Sequence, residues 1–266
     1  MELRDRPIGV FDSGLGGISV LQACTALLPA EDFLFFGDSA NAPYGERSLD
    51  EVRALTMAGA EHLLAAGVKA IVVACNTATS AAIGLLRATW PTLPIIGIEP
   101  AVKPAATAEG SSTVLVMATP LTIHEDKYQK LAAAVCDQAN VLSLPCRGLA
   151  GMVEAGQWSG PALDHYLQEL FLPFRYCNVE YIVLGCTHYP FIRDAIAQNF
   201  GRPVRIIDGS LGTARQLQRQ LDAAGLRTAR TDRPGRVVLE NSLPEKDAMA
   251  RTLFARSTLD NAAETD

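Results

Sequence analysis

The stretch AIVVACNTATSAA at residues 70–82 decides the fold, because EYIVLGCTHYPFI at residues 180–192 repeats its layout. In each, a four-residue apolar run and a small residue lead to a cysteine, Cys75 or Cys186, followed by polar residues that include a threonine. A short apolar run ending in a small-polar cluster reads as a buried strand that delivers a side chain to its carboxyl end. In open α/β sheets that end is where ligands bind. Two thiols placed this way, 186 − 75 = 111 residues apart, point to one site built from two halves. They also point to a reaction that needs one thiol on each side of its substrate.

Working outward, strand-like runs recur at Ile8–Phe11, Phe33–Phe36, Ile71–Ala74, Ile95–Ile98, Val114–Met117, Val141–Leu144, Tyr181–Leu184 and Val204–Ile207. Alanine- and leucine-rich stretches such as Leu49–Ala66 and Gly160–Arg175 lie between them. This alternation predicts a doubly wound, parallel α/β architecture. The order also suggests an internal repeat. The first half opens with a strand and Asp12-Ser13-Gly14, the second with a strand and Ala118-Thr119-Pro120. From Asp12 to Cys75 is 75 − 12 = 63 residues, and from Thr119 to Cys186 is 186 − 119 = 67. Two similar units facing each other fit this spacing; coincidence among α/β elements is the alternative. Prolines 91, 94, 100 and 104 mark a first crossover, Gly201 to Gly209 marks a second, and the polar tail from about Ser257 reads as frayed.

A chain of 266 residues with 48% hydrophobic and 20% charged residues can bury a sizeable core. The net charge of −6 argues against nucleic acid or an anionic membrane as partner. An anionic small-molecule substrate must then be attracted by local features. Six cysteines without a C-x-x-C pair are no disulfide framework, and the start MELRDRPIGVFDSG has no signal-like apolar region. No apolar run approaches the roughly 18 residues that span a bilayer. A cytoplasmic protein is the expectation.

Five constellations are candidates for chemistry. FDSGLGGIS, residues 11–19, resembles a dinucleotide loop, but Ser19 stands where the third glycine belongs and Asp12 would repel a pyrophosphate. The plain reading is a tight strand-to-helix turn; the functional one projects Asp12 and Ser13 into a cleft. In ACNTATSAA, Asn76, Thr77 and Thr79 are cap candidates for an alanine-rich helix. Such a helix end is expected to lower the Cys75 thiol toward neutrality; a buried structural cysteine is the alternative. In GCTHYPFI, Pro190 suits a first helical turn, which puts Cys186, Thr187 and His188 at a strand–helix junction. GDSANAPYGERS, residues 37–48, is a polar loop after a strand, with a turn at Pro43-Tyr44-Gly45. In GMVEAGQW, residues 151–158, Glu154 alone reads as a solvated helix charge.

Taken together, these stretches resemble the glutamate racemases of the aspartate/glutamate racemase superfamily. The resemblance rests on PIGVFDSGLGG, FFGDSANAPYG, VVACNTATSAA, GIEPAVKPA, GMVEAGQW and VLGCTHYP, spread over residues 7–190. It implies cofactor-independent supply of D-glutamate for peptidoglycan. It implies that Cys75 and Cys186 are acid/base thiols, with Asp12, His188 and Glu154 assisting. Substrate-binding positions would be Asp12, Ser13, Tyr44, Gly45, Asn76, Thr77, Thr187 and His188. Two α/β domains enclosing the site are implied, 1–97 plus 208–266 and 98–207, and so is a homodimer. One departure is ATPLT at 118–122, where Leu121 replaces a usual glycine and puts binding roles for Thr119 and Thr122 in doubt.

Two-base racemisation needs one protonated and one deprotonated group on opposite faces of Cα. Cysteines, with ordinary values near 8.5, give access to both forms. No cofactor is required by this scheme. The five lysines, Lys69, Lys103, Lys127, Lys130 and Lys246, lie outside the cysteine motifs, with Lys103 the one left open for a pyridoxal cofactor. Cys186 and His188 do not have zinc-ligand spacing, so no metal is expected. Other readings are a broader amino-acid racemase, a fold-keeping binding protein of the kind reported to bind gyrase, and a Cys–His hydrolase that leaves one cysteine unexplained.

Overall fold

Runs of Ile, Val, Leu and Phe bounded by Gly, Pro or Asp become strands, and the alanine-rich stretches between them become helices. The protein, described as a computed structural model over residues 2–108 and 113–258, has these strands among its described residues: β1 (Ile8–Asp12), β2 (Phe33–Gly37), β3 (Ala70–Val73), β4 (Ile95–Gly97), β5 (Thr113–Ala118), β6 (Asn140–Pro145), β7 (Tyr181–Leu184), β8 (Arg205–Asp208) and β9 (Val237–Asn241). The helices are α1 (Ile18–Leu27), α2 (Leu49–Ala65), α3 (Asn76–Thr89), α4 (Val102–Thr107), α5 (Pro120–His124), α6 (Asp126–Ala133), α7 (Leu149–Glu154), α8 (Pro161–Phe171), α9 (Arg193–Phe200), α10 (Ser210–Ala223) and α11 (Asp247–Ala255).

The strands form two parallel sheets, ordered β4-β3-β1-β2-β9 and β6-β5-β7-β8. Read backwards, the second sheet is β8-β7-β5-β6. It then matches β4-β3-β1-β2 strand for strand. The suggested repeat is therefore present as topology: β1 corresponds to β5, and β3 to β7. In each sheet the chain order reverses between that pair, the point where α/β sheets open a crevice at their carboxyl ends. Cys75 follows β3 and Cys186 follows β7.

β1, β3 and β7 are buried along their whole length, as parallel strands covered on both faces must be. Each buried Val, Ile or Leu contributes about 1.5–3 kcal/mol over exposure. A charge at Val72 or Val183 would break this layer, since neither has a partner for it. One apolar cluster runs through both sheets, joining Ile18 and Leu21 of α1 to Leu115, Ile182, Leu163 and Ile196. Separate clusters cover the other face of each sheet. The two lobes thus share a core on one side.

The second crossover falls at the end of the stretch expected for it. Gly201 to Gly209 contains β8, which pairs with β7, and the chain then crosses back, α10 packing on α1 and residues 224–236 leading on to β9. β9 escaped the sequence reading because VVLEN lies at a sheet edge, half buried at alternate positions, and is no apolar run. The tail expected to fray from about Ser257 lies, from residue 259 onward, outside the described residues. Among the described residues no helix is long and apolar enough to cross a membrane.

Candidate active site

A cavity of about 270 Å³ opens between the carboxyl ends of the two sheets. From the first lobe come Ser13, Tyr44, Gly45, Cys75, Asn76 and Thr77; from the second come Glu154, Cys186, Thr187 and His188. Of the catalytic and substrate-binding positions that the resemblance implied, all line it except Asp12. Asp12 is wholly buried behind the wall, so the expectation that it projects into the cleft is corrected. Its Oδ2 accepts from Gly14 N at 3.0 Å, and its Oδ1 accepts from the Thr187 hydroxyl at 3.3 Å.

On the first lobe, the cap of α3 is Cys75 itself rather than Asn76, Thr77 or Thr79. Cys75 has extended backbone, and its Sγ accepts from Ala78 N at 3.4 Å. Ser13 Oγ lies 3.3 Å from the same sulfur. The helix end does not bring this thiol toward neutrality. Burial pushes it up to about 12, and the carboxyl of Asp12 adds to the effect. With Cys75 only 5% exposed, desolvation of a thiolate outweighs the half charge of the helix dipole.

On the second lobe, β7 ends at Leu184 and the chain turns through Cys186, Thr187 and His188 into a short 3₁₀ turn at Tyr189–Ile192. Pro190 sits in its first turn, as expected. Cys186 Sγ lies 3.6 Å from His188 Nδ1, and His188 Nε2 lies 2.7 Å from Glu154 Oε1. That same Oε1 accepts from Leu15 N at 2.6 Å, across the cleft. Burial by itself would depress His188. The hydrogen bonds and charges of Cys186 and Glu154 outweigh it and hold the imidazolium well above the usual histidine range. For Glu154, burial works upward but His188, Leu15 N and Lys246 hold the carboxyl below its ordinary value. Glu154 is thus no solvated charge. Asp12 moves the other way, raised by burial against the lowering effects of His188 and the Gly17 and Gly14 amides.

The glycines of the Asp12–Gly17 turn have a steric purpose. A Cβ on Gly16 would stand 2.5 Å from His188 Nδ1 and 2.6 Å from Thr187 Oγ1, and one on Gly14 would collide with the Glu154 carboxylate. The turn is bare so that the second lobe's polar groups can approach its backbone. A Cβ on Gly45 would likewise stand 2.7 Å from Thr119 Cβ.

The polar floor is arranged for a ligand. Asn76 is 3% exposed, yet neither its Nδ2 nor its Oδ1 has a hydrogen-bond partner. Such an orphaned buried amide costs about 1–3 kcal/mol unless something binds it. Tyr44 donates to Asp38 Oδ2 at 2.7 Å. The hydroxyls of Thr77, Thr119 and Thr122 form a triangle at 2.9–3.1 Å that bridges the lobes. Leu121 does not disturb it. It is helical in α5, packs on the first lobe's apolar cluster, and leaves Thr119 free to cap that helix.

Sequence reasoning missed Thr119, Cys146, Glu46 and Lys246 as cavity residues. The repeat carried a signal for Thr119, which by strand register occupies the place of Ser13, one residue from the match to Asp12 that the spacing suggested. Nothing local marked Lys246, which enters only because β9 brings the C-terminal segment back. Lys103, by contrast, is exposed on α4 and does not line the cavity. Among the described residues no group of three or more His, Cys, Asp and Glu side chains is gathered as a metal site.

A family model described as Asp/Glu/hydantoin racemase matches residues 8–217. A glutamate racemase of Clostridium botulinum is 45% identical over 242 residues, 91% of this chain and 93% of that protein. The glutamate racemase of Thermus thermophilus, solved with β-chloro-D-alanine, is 37% identical with a TM-score of 0.79, covering 94% of this chain and 93% of that one. That of Francisella tularensis, solved with D-glutamate, is 30% identical with a TM-score of 0.82, covering 96% and 95%.

Proposed function

Because the chain belongs to the Asp/Glu/hydantoin racemase family, we propose that it interconverts L- and D-glutamate without a cofactor, with Cys75 and Cys186 as a two-base pair, and supplies D-glutamate for peptidoglycan. It is an isomerase of the glutamate-racemase type. The finer reading is carried by one observation: two cysteines from corresponding strand ends of two repeated lobes line a single cavity. The lobes in this proposal are 1–97 plus 208–266 and 98–207, each holding one thiol. A cytoplasmic homodimer accompanies it.

The surroundings make the pair unequal in the empty cavity. Cys75, pushed up to about 12, rests as a thiol. Cys186 has His188 beside it, with the ring Nδ1 3.6 Å from its sulfur. In one direction the Cys186 thiolate takes the Cα proton and Cys75 gives its thiol proton to the opposite face. The enzyme is then left with Cys75 deprotonated and Cys186 protonated, the form that runs the reaction in reverse. The negative charge that develops at Cα and its carboxylate needs preorganised donors. The Asn76 amide, Ser13 and Thr77 supply side-chain donors, and the amino end of α3 supplies backbone N–H groups.

The test is turnover of each pure glutamate enantiomer in deuterated buffer with no added pyridoxal phosphate or metal. Conversion to the other enantiomer with deuterium at Cα is expected. Conversion of aspartate but of neither glutamate enantiomer would contradict the substrate, and dependence on added cofactor would contradict the chemistry.

A further inference from the structure

We propose that Lys246 recruits the dicarboxylate substrate to the cavity. The inference rests on the reading above and adds to it a residue outside the motifs that suggested it. A chain with net charge −6 must draw an anion by local means. The charged side chains lining the cavity are Glu46, Glu154, His188 and Lys246, with the buried Asp12 and Asp38 behind its wall. His188 is committed, hydrogen-bonded at one nitrogen to Cys186 and at the other to Glu154. Lys246 is the one ammonium among the described lining residues.

That ammonium is held loosely. Its Nζ donates to the Glu154 carbonyl at 3.3 Å and stands 3.9 Å from Glu154 Oε2, the limit of an ion pair. Glu154 spends its other oxygen on Leu15 N and His188. The Lys246 side chain keeps about a third of its surface, 31%, exposed, while Glu154 keeps 13%. A partly hydrated cation at the mouth of an enclosed polar cavity acts on an incoming anion before contact.

Its support is firm. Lys246 ends a 3₁₀ turn at Pro244–Lys246, directly after β9. Ser242 N donates to Gly37 O at 2.9 Å, and Asn241 Nδ2 donates to Ser39 Oγ at 2.9 Å. The turn is therefore tied to the loop after β2, and Lys246 reaches from the first lobe to Glu154 of the second. A fixed backbone and a part-exposed, loosely contacted head suit a group that meets the substrate and hands it inward.

Lys246→Gln and Lys246→Arg test this, with KM and kcat measured for glutamate at low and high salt. Recruitment predicts that Lys246→Gln raises KM roughly 5- to 20-fold at low salt with a smaller change in kcat, since local charge changes encounter rates by 10-fold or more. The difference shrinks at high salt, where exposed charges are screened within about 3–10 Å. Lys246→Arg restores most of the loss. An unchanged KM, a loss confined to kcat, or a loss of equal size at all salts would overturn the proposal. An inactive wild-type chain would instead strike the glutamate reading and is detected first.

Discussion

Cys75 and Cys186 stand at matched strand ends in unlike surroundings. Burial opposes ionisation of Cys75, with the Asp12 carboxyl adding to it, while Cys186 has the His188 ring 3.6 Å from its sulfur. Glu154 keeps that ring charged, 2.7 Å from Nε2. Replacing Glu154 with Gln removes the negative charge, so His188 must release its proton at lower pH. The alkaline limb of kcat/KM should then move down by about 1–3 pH units, the usual effect of one close opposite charge. A pH–rate profile of Glu154→Gln checks this; an unmoved limb would show that His188 ionisation does not govern activity. Most of this site was legible. Cys75, Cys186, His188 and Tyr44 announce themselves through polar clusters after apolar runs. Glu154 became readable only through the company of the other motifs, because its partners Leu15 and His188 lie 139 and 34 residues away. Lys246 had no signal, since its meaning depends on where a returning edge strand sets it down.

Among elements, the Asp12–Gly17 turn links the two lobes most directly. Its glycines look like a phosphate loop in sequence but serve as a bare surface for His188, Thr187 and Glu154. Gly16→Ala would force a Cβ to within 2.5 Å of His188 Nδ1. Such overpacking typically costs about 1–3 kcal/mol. Activity should fall further than stability, because the displaced atom belongs to the proposed acid/base machinery. Thermal melting together with kcat/KM for Gly16→Ala measures both; full activity would mean that the turn tolerates an open lobe contact. Strands such as β3 and β7 were readable because burial on both faces leaves an unbroken apolar run. β9 was not readable, because an edge strand with half-exposed Val238 and Glu240 has no such constraint. The cap of α3 was sought at Asn76, Thr77 and Thr79 instead of Cys75 for a related reason: a cysteine sulfur does the work usually given to Ser, Thr, Asp or Asn.

At the scale of the molecule, the two sheets repeat one strand order, and the repeat explains why one cavity receives two cysteines. A core shared across both sheets fixes the lobes on one side. On the other, the threonine triangle and the Glu154–Leu15 hydrogen bond bridge them. The spacings of 63 and 67 residues anticipated this from sequence, although identity between the halves is slight. The central claim is that each lobe supplies the base for one face of the substrate. Racemisation alone cannot separate the two thiols, since mirror-image substrates have equal free energies and loss must be equal in both directions. Exchange without inversion can. Cys75→Ala and Cys186→Ala should each lower racemisation by about 10²–10⁴-fold, while each still exchanges the Cα proton of one pure glutamate enantiomer with deuterated solvent. The account predicts that the two variants exchange opposite enantiomers. Exchange of the same enantiomer by both, or racemisation at the wild-type rate by either, would contradict it.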